Sequence, residues 1–234
     1  MFPIFDLNYL IYMLPALLLG MIAQFYVTSR YNSWSKVPNK AGMTGTQVAQ
    51  RLMEQYGMYN LTLKGTPGQL TDHYDPRNKT LALSQGIAQN ASVASAAIAA
   101  HELGHAQQDK DNYLPMRLRS ALVPAVNIGT NLGWILIVLG LLIQVSGLAW
   151  LGVIAFSAGV VFSLATLPVE LNASRRARAM LKSSGVIMTQ EEERGVKQVL
   201  SAAALTYVAA IITSLAQLLY YVSLIGGRGR RSRR

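Results

Sequence analysis

Two histidines, His101 and His105, stand four residues apart in AIAAHELGHAQQ (residues 97–108), and Glu102 directly follows the first. On a helix, residues i and i+4 share a face, so both imidazoles can meet one metal ion. Glu102 then sits beside the first ligand, where it reaches a metal-held water and not the metal itself. Two zinc ligands and a general base in one helical turn are the mechanical content of an H-E-x-x-H pattern. A zinc ion (Zn2+) with three protein ligands keeps a fourth position for water and lowers the pKa of that water to about 7. The competing reading is a surface helix that carries these residues by chance. The small, apolar flank over residues 91–100 argues against it, because buried His and Glu side chains need partners.

A third ligand has to come from elsewhere. The chain holds no cysteine, 11 Asp and Glu, and one further histidine, His73. Glu170 stands out in LPVELNASRR (residues 167–176), directly after an apolar stretch. Pro168 is tolerated in the first turn of a helix, so a helix starting there places Glu170 near a membrane surface. Two apolar spans separate His105 from Glu170, and an even number returns the chain to the side it left. A carboxylate at that position without a partner is costly, and the alternative to a metal is an ion pair with Arg175 or Arg176. His73 competes for the role: in TDHYDPR it lies on a predicted strand, where it is a ligand, a hydrogen-bond donor to the oxyanion of a transition state, or a strand histidine beside acidic residues with no chemistry. The run Glu191, Glu192, Glu193 follows Thr189 and reads as a capping box for the last helix, without chemistry of its own.

The elements that must position these residues follow from periodicity. Residues 43–56 (MTGTQVAQRLMEQY) have helical spacing, with threonines to cap the start and Gly57 to stop it. Residues 60–64, 70–74 and 80–84 (TLALS) read as three short strands, with turns at 65–68 and 75–79. Asn90 is the expected cap of a helix over residues 91–108. The polar stretch 30–120 is therefore an α+β domain with a small antiparallel sheet. TLALS is the expected edge strand, to which an extended substrate adds.

Composition supplies the setting. The 234 residues are 51% hydrophobic with net charge +10, and mean hydropathy is +0.27, which favours a membrane class over a nucleic-acid binder. Four stretches, 7–27, 121–144, 147–167 and 202–225, approach or exceed the roughly 20 residues that cross a bilayer. The first has no positive charge ahead of it and no small-residue cleavage site, so it reads as an uncleaved anchor. The second and third form a tight hairpin. The expected organisation is an N-terminal anchor (1–29), a catalytic domain (30–120), a transmembrane hairpin (121–168), a helix carrying the third ligand (169–200), a fourth span (201–226) and a basic, disordered tail (227–234). Gln24, Asn127, Asn131, Gln144 and Gln217 are expected to join helices within the membrane.

LTDHYDPRNKTLALS, AAIAAHELGHAQQ and LPVELNASRRA occur in this order. Together they resemble the YugP-like neutral zinc metallopeptidases of bacterial membranes, over most of the chain. The Glu170-x-x-Ala173 piece also resembles the gluzincin pattern of HtpX-like and CAAX-prenyl endopeptidases. The resemblance implies an α-helical membrane protein with four transmembrane helices and a small α+β zincin-like catalytic domain. It implies zinc on His101, His105 and Glu170, with Glu102 as base. One departure is Ser174, where the HtpX-like pattern has an aspartate. Support for a zinc-bound histidine from that position is then weaker or different, with Asn172 as a candidate replacement.

The reaction expected from these residues is metal-assisted peptide hydrolysis, with His73, or failing it Arg175, at the oxyanion. Partners are unfolded or extended protein or peptide segments, the lipid bilayer, and a possible membrane-protein partner or regulator; nucleic acid is not among them. Apart from the tail, every Lys and Arg lies in the two polar stretches around the site. The positive-inside tendency thus places the catalytic domain in the cytosol of a multi-pass protein of the bacterial cell membrane. With four spans, the basic tail then lies outside. A catalytically inactive metal-binding scaffold or regulator of a membrane protease complex is the alternative, and the intact His101, Glu102, His105 and Glu170 set argues against it. A channel or transporter is disfavoured because the spans carry no ionisable residue at mid-membrane.

Overall fold

The computed structural model describes residues 7–231. The elements run α1 (Leu7–Trp34), α2 (Gly45–Gln55), β1 (Thr62–Thr66), β2 (His73–Asp75), β3 (Thr80–Ser84), α3 (Gln85–Ala88), α4 (Val93–Lys110), α5 (Leu114–Leu142), α6 (Ser146–Ser183) and α7 (Gln190–Arg231). The chain is an α-helical membrane protein with a small α+β region. Helices α1, α5, α6 and α7 are long and apolar enough to cross a membrane. At 38 residues, α6 is about 57 Å long, roughly twice the ~30 Å hydrocarbon thickness. The chain divides into two compact units, one of Met1–Ala23, Leu118–Leu167 and Thr206–Arg234, the other of Gln24–Arg117 and Pro168–Leu205.

In the first unit α5 and α6 pack through small residues. A Cβ on Gly140 would meet the Ala149 nitrogen at 2.5 Å, and one on Gly133 the Phe156 nitrogen at 2.6 Å. Lipid gives no hydrophobic drive for helices to associate, so close backbone approach of this kind supplies the packing. Two of the intramembrane amides bond within their own helix and do not join helices. Asn131 donates to the Asn127 carbonyl at 2.8 Å and Gln217 to the Tyr221 hydroxyl at 3.1 Å, each within its own helix one turn away. Gln144 lies in the α5–α6 turn with φ +61°. Across helices, the Ser163 and Ser214 hydroxyls lie 3.2 Å apart between α6 and α7.

The second unit is built around α4, whose residues from Val93 to Ala106 are almost all buried. Alanines make this possible, since neighbours approach the backbone from every side. Ser92, not Asn90, caps α4, accepting from the Ser95 N–H at 3.1 Å. The chain before it is held extended by a bridge between Pro38 and Ser92, so the helix starts two residues later than the sequence suggests. Asn90 donates to the Ser35 carbonyl instead. The Thr44–Gln47 capping box opens α2 as expected.

The sheet has the order β1-β3-β2 and is mixed, which corrects the antiparallel expectation. β2 pairs antiparallel with β3, but the 67–72 connection carries the chain across β3, so that β1 pairs parallel to it. β3 is therefore central and buried on both faces. Both of its ladders are occupied, and the expectation that TLALS is an edge strand that accepts a substrate fails. The free edges belong to β1 and β2.

Pro168 does not open a helix but lies inside α6. It leaves one carbonyl a turn earlier without its helical partner, a gap that long apolar helices tolerate. The segment 169–200 is accordingly not one helix: α6 ends at Ser183 and α7 begins at Gln190. Gly185, at φ +69°, supplies the left-handed turn between them. Glu192 accepts from the Thr189 N–H at 2.9 Å and donates its own N–H to the Thr189 hydroxyl at 3.2 Å, the capping box read from the sequence. α7 continues into the basic run as far as Arg231, where the sequence predicts a disordered tail. Residues 232–234 of that run lie outside the described residues, as do residues 1–6 of the expected anchor.

Candidate metal centre

Every group of this site belongs to the second unit. α4 presents His101 and His105 one turn apart, their rings edge to face with centroids 4.9 Å apart. The part of α6 beyond Pro168 crosses α4 at Gly104, where a Cβ would come within 2.5 Å of the Ala173 carbonyl oxygen. That close approach carries Glu170, one turn before Ala173, onto the two histidines. Glu170 is 2% exposed. Its Oε2 lies 3.3 Å from His101 Nε2 and 3.4 Å from His105 Nε2.

One ligand atom from each of the three residues lies within 4.8 Å of the others. A tetrahedral ion bonded at about 2.0–2.1 Å has ligand–ligand edges of about 3.4 Å. The two His–Glu distances match such edges, and two neutral imidazoles with one carboxylate are a donor set suited to zinc. The residues therefore fit the ion in type and in two of their three spacings, the remaining separation reaching no more than 4.8 Å.

The nitrogens turned away from this point are also held. His101 Nδ1 lies 3.2 Å from the Ser174 hydroxyl, so the serine that replaces an aspartate still meets the ring, as an uncharged partner. His105 Nδ1 lies 3.1 Å from Gln108 Oε1. Gln108 in turn donates to the Val169 carbonyl at 2.8 Å and to Asn172 Oδ1 at 2.9 Å. Asn172 thus acts on His105 through Gln108 and does not substitute for Ser174 at His101. Gln108 and Gly104 were not singled out from the sequence. Gln108 lies three residues past His105 and seven past His101, so helical spacing puts it on their face, but only its contacts with α6 give it a role.

Glu102 is buried beside the histidines. Among the described residues, no protein donor binds its carboxylate. Burial pushes its carboxyl above the usual range, against the opposing pull of His101 and His105. For His105, burial alone lowers the imidazole, but the Glu170 and Glu102 carboxylates outweigh that and leave it above its ordinary value. His73 is outside this group. It is exposed on β2, with Nδ1–H donating to the Thr71 carbonyl at 2.9 Å. Next to it, Asp72 accepts from the Ser84 N–H at 2.7 Å and from the Ser84 hydroxyl, which ties the start of β2 to the end of β3. Arg175 is exposed.

Comparisons with known proteins agree with the donor set. The sequence profile of a family described as "putative neutral zinc metallopeptidase" matches residues 9–226. The chain is 42% identical over 216 residues to the Bacillus subtilis (strain 168) protein named "putative membrane protease YugP", covering 92% of this chain and 96% of that protein. No solved structure matches significantly. The chain belongs to this zinc metallopeptidase family.

Proposed function

We propose that this family member is a metalloendopeptidase of the gluzincin type, with His101, His105 and Glu170 as zinc ligands and Glu102 as general base. The observation that carries this reading is the pair of 3.3 and 3.4 Å distances from one Glu170 oxygen to both Nε2 atoms. Bound there, zinc supplies the Lewis acidity that makes water nucleophilic near pH 7 and polarises the scissile carbonyl. Glu102 accepts the proton from the attacking water and passes it to the amide nitrogen as the C–N bond breaks. A raised carboxyl pKa suits both halves of that transfer, because the acid must form and then give its proton back. His73 is assigned to the oxyanion, with Arg175 the weaker candidate.

Unfolded or extended segments are the substrate class, with the free edges of β1 and β2 as the places left for backbone pairing. The chain is placed as a multi-pass protein of the bacterial cell membrane with the site facing the cytosol. Arg175, Arg176, Arg178 and Lys182, which follow an apolar span, carry that orientation.

Zinc stoichiometry of the purified protein tests the ligand set. We expect one zinc per chain in the wild type and none in His101→Ala or Glu170→Ala. A Glu170→Ala protein that keeps its zinc at wild-type affinity contradicts the assignment.

A further inference from the structure

We infer that Gln108 is a positioning residue that fixes which nitrogen of His105 is offered to the metal. The inference rests on the zinc-site reading above. The argument is one of donors and acceptors. A backbone carbonyl only accepts, so the Gln108 atom 2.8 Å from the Val169 carbonyl must be the amide NH2. Arginine only donates, so the Asn172 atom 2.8 Å from Arg176 Nε must be the oxygen. That oxygen also receives Gln108 Nε2 at 2.9 Å. Two independent acceptors therefore orient the same amide.

With its nitrogen committed to α6, Gln108 has only Oε1 left for His105, 3.1 Å from Nδ1. An oxygen there must accept, so Nδ1 carries the proton and the Nε2 lone pair points to Glu170 and the candidate metal position. Gln108 is 0% exposed, so water does not compete for these bonds. Arg176 is itself held by an ion pair with Asp111, and the chain Asp111, Arg176, Asn172, Gln108, His105 runs from the surface to the site. His101 has no such device. Its partner is the Ser174 hydroxyl, which donates or accepts equally well and leaves the ring's tautomer open.

The test uses the full-length protein, zinc itself as probe, and the variants Gln108→Leu and Gln108→Glu. Leucine removes all three bonds. Glutamate keeps an acceptor for Nδ1–H but loses both donors to α6. We expect Gln108→Leu to weaken zinc binding, measured by chelator competition, by about 10–100-fold. Gln108→Glu should recover most of that affinity while unfolding at as low a temperature as the leucine variant. Nitrogen-15 NMR of zinc-loaded wild type should show the His105 proton on Nδ1.

Three outcomes overturn the inference alone: leucine-variant affinity within twofold of wild type, affinity and stability falling equally in both variants, or a wild-type His105 protonated on Nε2. The last needs no variant and stands even where one fails to fold. Wild-type protein that takes up no zinc overturns the metal reading itself.

Discussion

Gly104 and Ala173 are in contact across the α4–α6 crossing: a Cβ on Gly104 would stand 2.5 Å from the Ala173 carbonyl oxygen and 3.0 Å from its carbon. This contact sets the distance between the helix with the two histidines and the helix with Glu170. In an ordinary helix interior, Gly→Ala stabilises by about 1 kcal/mol. Here the added methyl meets backbone, and overpacking against backbone costs about 1–3 kcal/mol. We expect Gly104→Ala to be destabilising on balance and to loosen zinc binding by displacing Glu170. Thermal unfolding and zinc affinity check this, and a more stable variant with unchanged affinity contradicts it.

Ser174 meets His101 Nδ1 at 3.2 Å without a charge. Removing the partner of a metal-bound histidine costs 10–100-fold in affinity in sites where that partner is a good acceptor. Because the serine bond is long and neutral, we expect Ser174→Ala to weaken zinc by about tenfold, the low end of that range. Ser174→Asp should bind zinc at least as tightly as wild type. Chelator competition measures both.

His73 is exposed and lies outside the three-residue group. We expect His73→Ala to keep full zinc content. As an oxyanion donor its loss should lower kcat by about 10²–10³ with little change in KM, the usual effect of deleting one such donor. An unchanged kcat removes His73 from the mechanism, and lost zinc makes it a ligand.

A Cβ on Gly140 would stand 2.5 Å from the Ala149 backbone nitrogen. Both residues belong to the other unit. We expect Gly140→Ile to destabilise the α5–α6 pair by about 1–3 kcal/mol or more, since a β-branched side chain cannot fold away from the contact. Zinc content should be unaffected. Unfolding followed by helicity in detergent, with metal analysis in parallel, tests the separation.

What the sequence reveals follows the range of the interactions. His101, Glu102 and His105 are legible because one helical turn relates them. The Thr44–Gln47 and Thr189–Glu192 caps are legible for the same reason. Glu170 is legible through counting spans, although 69 residues separate it from His101. The direction of β1 is not legible, because pairing parallel to β3 depends on where the 67–72 loop crosses, and short strands with turn residues between them look alike in either topology. The cap of α4 is Ser92 and not the expected Asn90, because a distant bridge from Pro38 holds Ser92 extended. Gly104 and Gln108 carry their meaning only once α6 lies against α4. A glycine inside a helix and a glutamine after a histidine say little alone.

The measurement that bears most directly on the central assignment is hydrolysis of unfolded casein by purified wild type and Glu102→Gln at equal zinc occupancy. Glutamine keeps the shape of the side chain and cannot take a proton from water. We expect both proteins to hold one zinc, and the variant to cleave at least about 10²-fold more slowly, the lower range for loss of a positioned acid–base group. A zinc-loaded Glu102→Gln protein that cleaves at the wild-type rate contradicts the assignment of Glu102 as the base.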